Sequence, residues 1–102
     1  MPQVVITETA LADIARLRDF LRSKDADAAQ EAGKAIIQAI QSLRQFPERG
    51  RNAGWLGENY REFVIRFGGT GYVAIYRIDY PKVSILAVRH QKEAGYYPAL
   101  LT

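Results

Sequence analysis

The hydrophobic period of this 102-residue chain changes once, near Pro47, so neither an all-helical nor an all-strand fold accommodates both halves. Before that point apolar residues recur every three or four positions. Ala10, Ile14, Leu17 and Leu21 make one stripe, and Ala29, Ala32, Ile36, Ile40 and Leu43 make a second, as expected of helices with one buried face. After it come three runs rich in Val, Ile, Phe and Tyr: Tyr60 to Phe67, Gly71 to Ile78 and Val83 to His90. These read as strands. The connections Gly68-Gly69-Thr70-Gly71 and Asp79-Tyr80-Pro81-Lys82 are short, which predicts an antiparallel meander.

Local signals fill in the ends. Gln3 to Thr7 is a β-branched run that leads into the first stripe. Thr7 suits the N-cap of that helix, because its hydroxyl can accept from a free amide of the first turn, and Glu8 sits favourably at the positive end of the dipole. Ser23 to Asp27 breaks the pattern, and Asp27 with Gln30 three residues on reads as a capping box for the second helix. Pro47 and Gly50 close it. The resulting order is β-α-α-β-β-β, an α+β fold with a helical hairpin packed on a small, mainly antiparallel sheet, and the length predicts a single domain over residues 1–102.

Composition removes whole classes of chemistry. With no cysteine and one histidine, His90, thiol catalysis, iron–sulfur clusters and Cys- or His-ligated zinc are set aside, and no metal or cofactor is expected. At this length folding hides roughly two thirds of the unfolded surface, enough for a core without disulfides. The start of the chain lacks a secretory signal and the longest apolar runs are far too short to span a bilayer, so a cytoplasmic protein with no membrane partner is expected. The net charge of +3 is uneven: residues 1–43 carry five basic and six acidic side chains, residues 44–102 nine and five. That excess suits an anionic partner or simple solubility. Gly68 to Gly71 lacks the spacing of a phosphate-binding loop and leads into a strand pattern, so it reads as a turn.

Strand alternation sorts the first meander run into Phe63, Ile65 and Phe67 facing the helices, and Glu62, Val64 and Arg66 facing away on a partly open surface. That surface can receive a partner or be a solvated face with cross-strand charge pairs.

The ordered motifs Pro47-Glu48-Arg49-Gly50-Arg51, Tyr60-Arg61-Glu62-Phe63, Tyr72 to Ile78 with Tyr76-Arg77, and Val83 to His90 span nearly the whole chain. Together they resemble the RelE/ParE superfamily of toxins. The resemblance implies the toxin of a type II toxin-antitoxin module of the plasmid-stabilization kind, neutralised by a cognate antitoxin, with operator DNA bound through the antitoxin complex. It also offers two activities. RelE-like members cleave mRNA on the ribosome, and need cations on the open face to hold phosphate. By alignment those positions are Glu62, Val64 and Val73, a carboxylate and two apolar side chains. The pattern is therefore closer to the ParE branch, which poisons DNA gyrase by binding it, with no catalytic residue. An mRNA endoribonuclease and an inactive antitoxin-binding relative are the alternatives.

On the gyrase reading the candidate target-binding residues are Arg61, Arg66, Arg77, Arg89, His90, Tyr96 and Tyr97, since arginine and aromatic side chains anchor interfaces. Each has a plainer role beside that one. Arg61 and Arg77 can order the sheet and its loop by hydrogen bonds, His90 can close the last strand against the backbone, and Tyr96 and Tyr97 can pack or stand where RelE-like toxins hold a catalytic phenol. Arg49 and Arg51 can meet an acidic partner or water. Trp55 and Leu56 are expected to tuck into the core edge, and the helical hairpin is expected to receive the antitoxin.

Overall fold

The computed structural model describes residues 1–93. Strand β1 (Gln3–Ile6) leads into helix α1 (Glu8–Arg22) and helix α2 (Ala26–Gln41), followed by a single 3₁₀ turn over Ser42–Arg44. The short strand β2 (Arg51–Asn52) precedes the meander β3 (Tyr60–Phe67), β4 (Thr70–Asp79) and β5 (Lys82–His90). The sheet order is β1-β5-β4-β3-β2, with β1 parallel to β5 and every other pair antiparallel. The α+β architecture and the helical hairpin on a mainly antiparallel sheet are as expected.

Thr7 does what its position predicts. Its hydroxyl accepts from the Ala10 amide at 3.2 Å and donates to the Ile85 carbonyl at 2.7 Å, so one side chain starts α1 and ties it to β5. The expected capping box at Asp27 is displaced by two residues. Asp25 takes the extended backbone of an N-cap, and its carboxylate accepts from the amides of Asp27 and Ala28, which leaves Asp27 inside the first turn. Helix α2 ends before Pro47, and Leu43 reaches the core from the 3₁₀ turn.

Both predicted stripes face the sheet. Ala10, Ile14, Leu17, Ala32, Ile36, Ile40 and Leu43 form one core with Ile65, Tyr72, Ala74, Tyr76, Val83, Ile85 and Val88, while Phe63 and Phe67 pack at its margin. Each large aliphatic side chain taken from water there contributes roughly 1.5–3 kcal/mol before ordering costs are set against it. The turn between β3 and β4 is tighter than the sequence pattern implies: Thr70 and Gly71 belong to β4, and Gly68 alone takes a positive φ, 59°. β5 carries an irregularity at Leu86, because Ile75 pairs with Ala87 while Tyr76 pairs with Ile85. The extra residue resets the faces of β5, placing Val88 with the core and Ala87 and Arg89 opposite.

Candidate functional site

The face of the sheet turned away from the helices is built in rows. Glu62, Ile75 and Ala87 form one row, Val64, Val73 and Arg89 the next, with Arg66 beside Gly71 at the far end and Tyr60, Arg77 and Ser84 at the near end. The middle of this face is less open than alternation alone suggests. Leu56, from the loop after β2, packs on Val73, Ile75 and Ala87 and makes a second small core. Beside it Glu62 is only 6% exposed. Its carboxylate accepts from Arg51 Nε on β2 at 3.1 Å, so the acid at the centre of the face is matched by a cation. Val64 remains exposed and Val73 is buried.

The candidate arginines divide between different jobs. Arg66 is exposed on the outer face. Arg77 lies over the Tyr60 ring and within 3.7 Å of Asp79. Arg89 donates to the Glu93 carbonyl at 2.8 Å. Arg61 turns to the helix side, where it donates to the Gly50 carbonyl at 2.7 Å and the Glu48 carbonyl at 3.3 Å, the loop-ordering role the sequence suggested. Tyr76, fully buried, completes this knot: its hydroxyl donates to the Pro47 carbonyl at 2.7 Å and accepts from the Gly50 amide at 2.9 Å. Burial pushes the Tyr76 phenol above its ordinary range, with the Gly50 bond and Arg61 opposing.

At the opposite end of the sheet His90 closes β5. Its Nδ1 accepts from the Lys92 amide at 3.1 Å, which leaves the proton on Nε2 to donate to Thr70 Oγ1 at 2.6 Å. The ring meets Tyr72 edge-on. Glu93 accepts from the His90 amide and pairs with Arg16 of α1 at 3.1 Å. Between α1 and this end of the sheet runs an apolar groove of about 570 Å³, floored by Leu17, Leu21, Phe67 and Tyr72 and edged by Phe20.

These placements do not unite the candidate target-binding residues in one patch. Arg66, Arg77 and Arg89 share the outer face, Arg61 serves the loop on the helix side, and His90 belongs to the groove end. Tyr96 and Tyr97 lie outside the described residues. The core packing expected of Trp55 and Leu56 holds for Leu56, on the second core, and fails for Trp55, which is 59% exposed. Arg49 stacks near the Phe63 ring and donates to Ser42 Oγ, so it is seated on the protein instead of lying in a bare loop. Asp13 and Phe46 escaped the sequence reading. Asp13 falls within the buried stripe of α1, three residues after Ala10 and four before Leu17, and a carboxylate there was the available signal. Among the described residues no three Asp, Glu or His side chains converge as metal ligands, and no helix is long and apolar enough to cross a membrane.

Residues 4–95 match the family model described as the ParE toxin of the type II toxin-antitoxin system parDE. The chain belongs to the ParE toxin family. Curated relatives from Caulobacter vibrioides agree at the level of the superfamily. The chain is 33% identical to Toxin RelE3 over 93 residues, covering 91% of this chain and 98% of that protein, and 37% identical to Toxin RelE2 over 90 residues, covering 88% and 96%. A solved structure from the chromosomal ParDE TA system from P. aeruginosa superposes with a TM-score of 0.74 at 19% identity, over 88% of this chain and 96% of that one, and so shares the fold. This ParE-family protein is therefore a type II toxin, and the family implies an antitoxin as its partner.

Proposed function

We propose that this toxin acts in the cytoplasm by binding DNA gyrase, without catalysing a reaction itself, and that its cognate antitoxin neutralises it and carries the complex to operator DNA. The observation that carries the reading is the outer face of the sheet. A ribonuclease of this fold needs cations there to hold a phosphate and balance charge as it develops. Glu62 is instead a buried acid matched by Arg51, and its neighbours in the adjoining row are Val64 and Val73, with Leu56 packed over the sheet beside them. Apolar side chains cannot stabilise an anion, and a neutralised ion pair attracts one weakly. A face of this kind suits protein contacts, with Arg66, Arg77 and Arg89 as arginine anchors.

The names of the Caulobacter relatives favour a second reading, a RelE-type endoribonuclease. Induction of the toxin in bacteria separates the two. Gyrase binding predicts loss of plasmid supercoiling and double-strand breaks before protein synthesis falls. Early translational arrest with mRNA cut in the ribosomal A site, at unchanged supercoiling, overturns the gyrase reading.

A further inference from the structure

We infer that the edge of the sheet at β2 is the surface on which this toxin docks its cellular target, with Phe46 and Trp55 as the two anchors; the inference rests on the toxin reading but not on which target it is. The segment before β2 is held more firmly than a connecting loop requires. The Phe46 amide donates to the Ser42 carbonyl, the Arg49 amide to the Phe46 carbonyl, Tyr76 and Arg61 grip the carbonyls of Pro47 and Gly50, and Arg49 reaches back to Ser42 Oγ. In this fixed segment the Phe46 ring is left 55% exposed. The segment after β2 repeats the arrangement. Leu56 is planted on the outer face of the sheet, and the adjacent Trp55 is 59% exposed.

Single exposed apolar residues are ordinary, but two large aromatics on anchored loops flanking one edge strand form a different feature. Between them in the chain lie Arg49 and Arg51, and Arg51 keeps most of its side chain in solvent while pairing with Glu62. Aromatic and arginine side chains carry most interface energy, and loops already held in place lose little entropy on binding. The partner chemistry follows: a protein offering apolar pockets for two rings, rimmed by carboxylates. The apolar groove beside α1 lies at the other end of the sheet, where β3 ends at Phe67, whereas β2 pairs with the beginning of β3 at Arg61 and Glu62. Target and antitoxin can therefore be told apart by mutation.

The test is the Phe46→Ala/Trp55→Ala double variant, induced alone in bacteria and separately co-expressed with the cognate antitoxin, with Leu11→Ala as a control that removes an exposed apolar side chain from α1. Survival after induction is expected to rise at least about tenfold over wild type, the loss of a hot-spot contact. Antitoxin co-purification and Tm are expected to stay at wild-type values, and Leu11→Ala to remain fully toxic. Undiminished killing by the double variant overturns the inference, and so does loss of antitoxin binding, which would assign this edge to the antitoxin. A wild-type toxin that kills while leaving supercoiling intact removes gyrase as the target, and the survival comparison still decides the surface.

Discussion

Asp13 on α1 and Val88 on β5 are 75 residues apart in sequence, yet the Asp13 carboxylate accepts from the buried Val88 amide at 2.9 Å. The bond answers a local need. β1 pairs with β5 only from Lys82 to Ile85, so beyond Ile85 that edge of β5 has no strand partner, and the helix supplies acceptors instead. Thr7 covers the first position, Asp13 the second, and Glu93 the amide of His90.

Asp13 is 7% exposed, and burial raises its pKa, while the Val88 bond and Arg16 oppose the rise and Glu93 adds to it. A raised folded-state pKa means that the native state favours the protonated acid. Its stabilising contribution is complete below the unfolded pKa and is lost as pH rises through the folded one. At neutral pH the buried charge is a liability. Asp13→Asn keeps an acceptor for Val88 and removes that charge, so it is expected to raise Tm at pH 7 by roughly 5 °C, on the order of 1 kcal/mol, with the gain shrinking toward pH 4. Asp13→Leu strands the Val88 amide and is expected to cost about 1–3 kcal/mol. Thermal melts of both variants between pH 4 and 8 decide; a lower Tm for Asp13→Asn at pH 7 contradicts the account.

Tyr76→Phe removes one hydroxyl that serves two backbone groups, the Pro47 carbonyl and the Gly50 amide. A loss of about 2 kcal/mol is expected, close to 10 °C in Tm for a chain of this size. Amide exchange should accelerate at Gly50 and Arg49 while β5 stays protected. Uniform acceleration across the sheet would mean that the bond is not local.

Gly50 has no room for a side chain, since an added Cβ would lie 2.6 Å from the Glu62 carbonyl and 2.7 Å from the Tyr76 hydroxyl. Gly69, in the β3–β4 turn, has open space around it and no positive φ. Gly50→Ala is expected to destabilise by about 1–3 kcal/mol, and Gly69→Ala to stay within about 0.5 kcal/mol of wild type. Urea unfolding of the two variants provides the comparison, and equal midpoints would refute it.

The ion pair of Arg51 and Glu62 joins an exposed cation to a buried acid, so the two deletions are unequal. Arg51→Ala withdraws a partner from a carboxylate held out of water and is expected to cost about 1 kcal/mol, a figure kept small because the arginine itself is solvated. Glu62→Leu replaces the buried acid with an apolar side chain beside Ile75 and Leu56, and is expected to cost less. Chemical denaturation of both ranks them, and a larger loss for Glu62→Leu reverses the argument.

Much of the fold was legible because its signals are local. The stripe through Ile14 and Leu17, the stripe through Ile36 and Ile40, and the alternation of Phe63, Ile65 and Phe67 each follow from the repeat of a single element. Of the candidate site, the loop-ordering bonds of Arg61 and the strand-closing bond of His90 were anticipated. The exposure of Trp55 was not, because an apolar residue in a loop has no period to say which way it faces. Asp25 displaced Asp27 as the cap for a similar reason: both are acids in the same break, and the backbone angles at each decide between them.

The sequence by itself determined the element types, their order and the apolar faces, since periodicity and turn chemistry are written into neighbouring residues. It also carried the motifs that place the chain in its toxin family. Only the tertiary structure decided that β1 lies parallel beside β5, that Leu86 shifts the faces of the last strand, and that Glu62 is buried against Arg51. These depend on pairings between segments tens of residues apart, where the acceptor for an amide or the partner for a charge comes from wherever the packed chain brings one within reach.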